Sequence, residues 1–427
     1  MKRKFVNNLL HKSSNWGNWF DSAWLLVCTT LVYACLSIVN VQAAPYETVS
    51  STEQPFKVGI IVSNSTNKSN FINFERSCVV RGMARSYYLY NSDDQIRFIF
   101  QEVDSNYAIA SAKAAQALVE QGVQVALIHL TSNQAESAAD VFSISGIPYV
   151  TSATSLSVIK PGYKGISISS SNKTAAAFTA RYALEHYSSR PFFIIPNLLS
   201  NYSNEYTELF KREVKKINPQ KHITVLPLGL ENERLEDMLQ RVPNGSFVFA
   251  PMYSNKVGIL YDKIVHLNKK DIIFFAGNSQ LHRGEFKAII GSVSDDVKVL
   301  FLSQWDFDRS SIRNSLEQRR KLSSIQRIVD TYCDSETIPS HVTVAYDLMK
   351  VLMAVSSDYT AETTPTELMD LIIKSPYNTL TTGNSFEFDD DGFADKPMYL
   401  FELKNDQIMH LETMEPTNQV VEYNEIH

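Results

Sequence analysis

The chain is poor in the features that would replace a hydrophobic core. Its 427 residues include only four cysteines and no long lysine/arginine block, which excludes a disulfide-stapled miniprotein and leaves no basic footprint for nucleic acid or anionic lipid. After the first fifty residues no apolar run approaches the roughly 18 residues of a membrane span. By contrast, 44% of the residues are hydrophobic and the formal charge is only -6. This composition excludes a disordered chain and predicts two or three packed domains whose partners are small molecules or proteins.

Residues 1–43 have the pattern of an export signal. Basic residues open the segment, an apolar run covers 23–39, and the small residues Val41 and Ala43 predict cleavage after Ala43. The alternative is an uncleaved membrane anchor, because an apolar run of this length lies at the lower edge of a membrane span. Either way, the sequence predicts an exported, periplasmic protein.

The four cysteines divide between this signal and the rest of the chain. A lipid-anchored form would use Cys35, but Tyr33 is too bulky for the usual small-residue pattern before a modified cysteine. If Cys28 and Cys35 leave with the signal, only Cys78 and Cys333 remain. The sequence leaves two alternatives open for this pair, which are one disulfide or two buried thiols.

Short runs rich in Val, Ile and Phe recur along the chain with helical patterns between them. Near-continuous apolar runs are typical of strands covered on both faces, and their alternation with helices indicates an α/β protein with parallel sheets. The predicted strands are 58–62, 96–100, 123–128, 147–150, 192–195, 223–228, 247–250, 272–276 and 398–403. The predicted helices are 74–90, 107–121, 134–143, 173–187, 204–217, 255–267, 312–333 and 341–356.

Two further segments organise the chain. The Ser-rich stretch 167–172 separates two blocks of strand–helix units and is interpreted as a crossing between lobes. The segment 385–392 ends in Asp389-Asp390-Asp391-Gly392 and predicts a hairpin turn before the last strand.

Several short motifs follow one another in an order typical of one protein family. They are the opening strand 57–61, the segment 101–105, the loops 129–132 and 146–154, Asn201-Tyr202-Ser203, Ala345-Tyr346-Asp347 and the hairpin 382–392. In this order and spacing the chain resembles the type I periplasmic binding proteins, and most closely the leucine/isoleucine/valine-binding branch of ABC-transporter receptors. The resemblance covers roughly residues 56–411.

The resemblance implies two doubly wound α/β lobes joined by a hinge. The expected boundaries are 56–168 plus 303–396 for the N-terminal lobe and 169–302 plus 397–413 for the C-terminal lobe. One departure concerns the ligand rather than the fold, because the first loop, at 63–70, is rich in Asn and Ser where the family usually has glycines.

Candidate binding residues of the first lobe follow two predicted strands. Ser132 and Asn133 come after the strand that ends at Ile128, and Ala153, Thr154 and Ser155 come after the strand 147–150. Loops at the carboxyl ends of parallel strands form ligand sites, and the helix N-termini that they open favour a carboxylate. The alternative is that these side chains only cap helices or make turns. By resemblance, Ser132 and Ser155 occupy hydroxyl positions of an amino-acid clamp, and Ala153 a backbone-carbonyl position.

The second lobe is expected to supply two aromatic residues. Tyr202 and Tyr253 each follow a predicted strand by a few residues, as the aromatics that cover the ligand do in this family; the alternative is an ordinary half-buried tyrosine. Gly277-Asn278-Ser279 is a weaker candidate and favours a plain turn. An α-ammonium needs a buried acid, and no Asp or Glu lies at a position that matches the family's.

Motifs for catalysis and metal binding are incomplete. Ser157-Val158-Ile159-Lys160 has the Ser-x-x-Lys pattern of penicillin-recognising enzymes, but its companion motifs are absent. The Asp-rich segment 387–392 imitates a calcium loop, yet Met398 lies where a bidentate Glu is needed. We therefore expect neither an enzyme, nor a metal, nor a cofactor.

Together these patterns predict an extracytoplasmic receptor of an ABC-type importer. Its two lobes would close on a small polar ligand such as an amino acid or amide, and the closed form would dock on a membrane permease. The alternative is a regulatory or sensory envelope protein that reuses the fold without a ligand, which the altered first loop and the unmatched acid favour.

Overall fold

The structure, a computed structural model, describes most of the chain after the predicted signal. It covers residues 55–63, 71–91, 95–103, 108–162, 164–228, 234–278, 286, 289–305, 316–333, 340–374, 387–405 and 407–415. The predicted signal 1–43, most of the loop 63–70, Asp104 in the segment 101–105, and Ser279 lie outside these ranges. Within them, no helix is both long enough and apolar enough to cross a membrane.

Strands and helices alternate through the first two thirds of the chain. The strands are β1 Phe56–Ser63, β2 Ile96–Val103, β3 Val125–His129, β4 Tyr149–Thr151, β5 Gly165–Ser167, β6 Phe192–Ile194, β7 Ile223–Val225, β8 Phe247–Phe249, β9 Ile272–Asn278, β10 Val297–Ser303, β11 Glu387–Phe388, β12 Ala394–Asp395, β13 Met398–Lys404 and β14 Gln407–Met414. The helices are α1 Phe71–Tyr90, α2 Ala108–Glu120, α3 Ser132–Ile144, α4 Asn172–Tyr187, α5 Asn201–Ile217, α6 Leu235–Gln240, α7 Ser254–His266, α8 Leu316–Tyr332, α9 Ser340–Val355 and α10 Pro365–Lys374. A single turn of 3-10 helix covers Leu156–Val158.

The first lobe is built on a five-stranded sheet of order β2-β1-β3-β4-β5. All its strands are parallel. One face packs against α1, α8, α9 and α10, and the other against α2 and α3. Burial on both faces explains the continuous apolar runs, such as β1, in which every side chain except that of Lys57 is buried.

The second lobe is built on a seven-stranded sheet of order β14-β13-β10-β9-β8-β6-β7. The strands β6 to β10 are parallel, and β13 and β14 are added at one edge as an antiparallel pair. Helices α4 and α5 pack on one face, and α6 and α7 on the other. The α/β prediction with parallel sheets is confirmed, and the antiparallel edge is an addition to it.

Three passages of the chain between the lobes run side by side. They follow β5, follow β10 and precede β13. The Ser170 backbone N–H donates to Gln304 Oε1 at 3.1 Å, and Gln304 Nε2 donates to the Ser170 carbonyl at 3.4 Å. The Ser170 hydroxyl donates to the Lys396 carbonyl at 3.5 Å. These bonds join the three passages into one hinge region, while the boundaries assigned to the lobes stay a prediction.

A disulfide links two helices of the first lobe. Cys78 on α1 and Cys333, which directly follows α8, are bonded across 255 residues of sequence. Both are buried, with 5% and 1% of their surfaces exposed. Of the two alternatives that the sequence leaves open, the structure contains the disulfide.

The Asp-rich segment forms the predicted hairpin. Strands β11 and β12 pair antiparallel, and Asp389 Oδ1 accepts hydrogen bonds from the backbone N–H groups of Asp391 and Phe393 at 3.0 and 2.8 Å. Asp391 in turn pairs with Lys173 at 2.7 Å. The carboxylates therefore stabilise the turn and its contact with α4.

Gly165 in β5 gives a prediction about packing. A Cβ at this position would lie 2.1 Å from the Tyr149 ring, whose hydroxyl donates to the Val158 carbonyl. We expect Gly165→Ala to lower the free energy of unfolding by about 1–3 kcal/mol, because the buried ring has no room to move. In a double-mutant cycle with Tyr149→Ala, measured by urea denaturation, the combined loss should be smaller than the sum of the two single losses. Additive losses would mean that the ring is not the obstacle.

Candidate functional site

The first loop of the predicted site lies at the carboxyl end of β3. Helix α3 begins at Ser132, and the Gln134 side chain accepts a hydrogen bond of 2.7 Å from the Thr131 hydroxyl just before the helix. Ser132 is 5% exposed and Asn133 is half-buried. The capping function is thus carried by Thr131 and Gln134, while Ser132 and Asn133 begin the helix beside the cleft between the lobes.

The second loop follows β4 and is held rigidly by its own hydroxyl groups. Thr151 Oγ1 donates to the Ile128 carbonyl at 2.9 Å and accepts from the Ala153 N–H at 3.2 Å. The Ser167 hydroxyl donates to the Ala153 carbonyl at 2.7 Å. The carbonyl that the resemblance assigns to ligand binding therefore already has one partner within the first lobe.

The two tyrosines predicted for the site lie against each other in the second lobe. Tyr202, the second residue of α5, follows β6, and Tyr253 follows β8 and precedes α7. Their rings stack with centroids 5.3 Å apart and planes 21° apart. Tyr202 is 2% exposed, and its hydroxyl would lie 3.3 Å from a Cβ at Gly277. Since Gly277 also has a φ of +66°, glycine permits this close approach of hydroxyl and backbone.

The structure brings Asn133 into contact with the second lobe. Its Oδ1 accepts from the backbone N–H of Asn201 at 3.0 Å, and its Nδ2 lies 3.5 Å from the Leu199 carbonyl oxygen. Asn201 Nδ2 also donates to Glu136 Oε2 on α3 at 3.1 Å. The N-terminus of α3 and the N-terminus of α5 therefore meet across the cleft.

A second contact joins the loop 154–156 to the second lobe. The Asn172 N–H donates to the Thr154 carbonyl at 2.7 Å, and Asn172 Nδ2 donates to the Ser155 hydroxyl at 3.2 Å. Glu205 Oε1 accepts from the Leu156 N–H at 3.0 Å and from Asn172 Nδ2 at 2.8 Å. The predicted residues Thr154 and Ser155 thus bind protein groups of the second lobe.

Glu205 is a site residue that sequence reasoning missed. Burial raises the pKa of its carboxyl group above the ordinary value, and nearby Glu136 raises it further, while hydrogen bonds from Leu156, Asn172 and Ser157 oppose the shift. The available signal is its spacing: Glu205 lies three residues after Tyr202, on the same side of α5. That spacing could not reveal partners that lie 49 and 33 residues away.

A second missed contact lies at the ends of the central strands. His129 Nδ1 and the Ser152 hydroxyl are 2.7 Å apart, and His129 is 2% exposed. Because His129 ends β3 and Ser152 follows β4, this pair fixes the relative positions of the two loops of the candidate site.

The cleft therefore combines helix N-termini with hydroxyl, amide and aromatic groups. Helices α3, α4 and α5 and the 156–158 turn all begin at the contacts described above. Their backbone N–H groups favour a negatively charged group, whereas the Glu205 carboxylate already accepts hydrogen bonds from Leu156 and Asn172. The arrangement suits a small polar solute, and the individual binding roles of Ser132, Asn133, Ala153, Thr154, Ser155, Tyr202 and Tyr253 stay predictions.

Solved structures with the same fold are solute-binding proteins. A leucine-binding protein from Thermotoga maritima matches with a TM-score of 0.69 at 14% identity, covering 85% of this chain and 99% of that one. A branched-chain amino acid transporter substrate-binding protein from Streptococcus pneumoniae, in complex with isoleucine, matches with a TM-score of 0.66 at 14% identity, covering 85% and 100%. An ABC-transporter solute-binding protein from R. palustris, in complex with benzoate, matches with a TM-score of 0.67 at 13% identity, covering 85% and 97%.

Sequence comparison adds no closer relationship. No protein-family model matches the chain, and no curated protein matches it. At 13–14% identity the structural matches establish the fold and nothing finer. The predicted fold is confirmed: the chain has the two-lobed α/β fold of the type I periplasmic binding proteins, as found in substrate-binding proteins of ABC transporters.

Proposed function

We propose that the chain is an extracytoplasmic solute-binding receptor of an ABC-type importer, and not an enzyme. The observation that supports this proposal is the contact across the cleft, where Asn133 and the loop 154–156 of the first lobe bind Asn201, Asn172 and Glu205 of the second. A solute that contacts both sides binds the closed arrangement more tightly than the open one, and this difference drives closure. The closed form would then dock on a membrane permease, with no part for nucleic acid.

The solved neighbours support a small carboxylate or amino acid as the ligand class. One is a leucine-binding protein, and two others were solved in complex with isoleucine and with benzoate. For this chain we favour an amino acid or amide, because the cleft offers helix N-termini for a carboxylate together with hydroxyl and amide groups. The buried disulfide agrees with an oxidising, exported location.

The test is native mass spectrometry of the purified protein, followed by thermal-shift screening. The panel contains amino acids, short amides, and small aliphatic and aromatic carboxylates. A ligand that binds only the native state raises the melting temperature by mass action, so a retained mass or a shift with one class supports the receptor and names its solute.

Two substitutions in the cleft are expected to weaken that binding. Ser132→Ala should cost roughly twofold to tenfold in affinity, the range for one hydrogen bond. Tyr202→Phe should cost a similar factor, and it is preferable to Tyr202→Ala because Tyr202 is 2% exposed and truncation would open a cavity. Calorimetric titration measures both. Ser145→Ala and Tyr90→Phe, at exposed positions, are the matched controls, and unchanged affinity in both cleft variants would place the site elsewhere.

A second candidate is a regulatory or sensory envelope protein that uses the fold without a solute. It is favoured by the contacts already made across the cleft, in which Asn133, Thr154 and Ser155 bind groups of the second lobe. A folded protein that binds no member of the panel would support this candidate.

A further inference from the structure

The contact between Glu205 and the 156–158 turn joins the lobes through a helix cap. The first backbone N–H groups of a helical turn have no partner inside the turn. Ser155, which precedes this turn, makes no side-chain capping bond to it. Instead the Leu156 N–H donates to Glu205 Oε1 at 3.0 Å. The acid that caps a first-lobe turn is therefore carried by a helix of the second lobe.

Asn172 strengthens the same contact from a second direction. Its backbone N–H and its Nδ2 bind Thr154 and Ser155, and the same Nδ2 binds Glu205 at 2.8 Å. Three consecutive residues of the loop, at 154–156, are thus held by two residues of the second lobe. This loop is the one that the resemblance assigns to ligand binding.

The position of Glu205 makes its hydrogen bonds strong but reversible. Its carboxyl group is partly withdrawn from water, which is the main cause of its raised pKa. A hydrogen bond to a charged acceptor in such a place shifts a two-state equilibrium by roughly tenfold to a hundredfold. Opposing this, the buried Asn172 Oδ1 has no hydrogen-bond partner among the residues that the structure describes, which costs free energy on closure.

The charged neighbours do not replace Glu205 in this contact. Glu136 on α3 binds the Ser157 hydroxyl and Asn201 Nδ2 through Oε2, and its other oxygen pairs with Lys160 at 3.5 Å. Lys160 also pairs with Asp140 at 3.1 Å. Glu136, Asp140 and Lys160 belong to the first lobe. Glu205 is therefore the acid that the second lobe contributes to this contact.

We propose that Glu205 is an interlobe latch, a positioning residue that favours the closed cleft and fixes the loop 154–156 through bonds between protein groups. Because both partners of each bond belong to the chain, the latch acts whether or not a solute is bound. Its effect on solute affinity rests on the proposed function, but its effect on closure does not.

Amide hydrogen exchange and X-ray scattering of the purified protein test the latch. Glu205→Ala should speed exchange of the segment 154–158 roughly tenfold or more and should increase the radius of gyration, because the lobes separate more often. Glu205→Gln keeps an acceptor oxygen for Leu156 and should give an intermediate exchange rate. A purely structural defect would instead speed exchange throughout α5 and lower the melting temperature, which would overturn the proposal.

Glu208→Ala is the matched control. Glu208 lies one turn from Glu205 on the same helix, is 69% exposed, and pairs only with Lys211 among the contacts that the structure describes. It should leave both the exchange and the radius of gyration unchanged. Wild-type values in Glu205→Ala as well would contradict the latch.

The two proposals fail in distinguishable ways. If the solute panel is negative while Glu205→Ala opens the cleft, the latch stands and the receptor proposal falls. If a solute binds and Glu205→Ala leaves closure and affinity unchanged, the receptor stands and the latch falls. When both hold, the affinity loss in Glu205→Ala should equal the loss in the closed fraction, since only closed molecules are competent to bind tightly.

Discussion

Replacing Cys78 and Cys333 together by alanine is expected to lower the free energy of unfolding by about 3–5 kcal/mol. The bond closes a loop of 255 residues, and long loops lose the most conformational entropy when the unfolded chain is cross-linked. Both sulfur atoms also lie in the core between α1 and α8, so their removal adds a small cavity. Urea denaturation of the oxidised wild type and the double variant measures the loss.

Reduction of the wild type provides the control for this prediction. A thiol reductant should lower the stability of the wild type almost to that of the double alanine variant and should leave the variant itself unchanged. A wild type that is insensitive to reductant under denaturing conditions, where the bond is accessible, would show that the two cysteines are not paired in the purified protein.

Asp347→Asn is expected to lower the free energy of unfolding by about 1–2 kcal/mol at pH 7, since Lys396 can release its proton once the charge is removed. Lys396, in the hinge region, is 1% exposed, and burial lowers its pKa to about 8, a shift that the negative charge of Asp347 opposes. Asparagine removes the negative charge that offsets part of the cost of burying the Lys396 ammonium. The matched control is Asp370→Asn, because Asp370 is 58% exposed in its pair with Lys374 and should change stability by less than about 0.5 kcal/mol.

The pH dependence separates charge from packing at Lys396. Between pH 8 and 10.5 the unfolded chain holds the Lys396 proton more tightly than the folded chain does, so this residue makes the free energy of unfolding rise with pH across that window. Lys396→Met lacks this titrating group, so the free energy of unfolding of the wild type minus that of Lys396→Met should rise as the pH is raised above 8. The double variant Lys396→Met, Asp347→Leu should recover most of the stability that is lost in Asp347→Asn, because an apolar pair replaces two charged groups. If it does not, packing rather than charge is decisive here.

Much of the fold could be predicted because its strands are buried on both faces. The apolar runs that become β1 and β9 avoid contact with water only when they lie in the interior of the protein. The elements missing from the predicted set are β5, β10, β14, α6 and α10. Strand β5 spans only three residues, too short for a periodic signal, and β14 is largely exposed at a sheet edge. Strand β10 carries the same apolar pattern as the predicted strands and could have been found.

The candidate site could be predicted only for residues that follow a predicted strand in the sequence. The loops containing Ser132 and Ser155 follow strands, and the tyrosines do the same in the second lobe, so topology alone collects them at the cleft. The partners of Asn133 and Glu205 could not be predicted, because they depend on how two lobes meet. A single sequence contains no periodic signal for a contact between distant segments that is made through side chains and backbone N–H groups.

The repeated passage of the chain between the lobes has a consequence for the order of synthesis. The strands of the first sheet are complete at Ser167, but three of the four helices that cover one of its faces, α8, α9 and α10, begin only at Leu316. Cys333 follows Cys78 by 255 residues, a delay of roughly 13–50 s at about 5–20 residues per second. Meanwhile the five parallel strands of the second lobe, β6 to β10, are made without interruption. The first lobe is thus begun first but completed only after most of the second lobe has been made, and one face of its sheet needs protection in between.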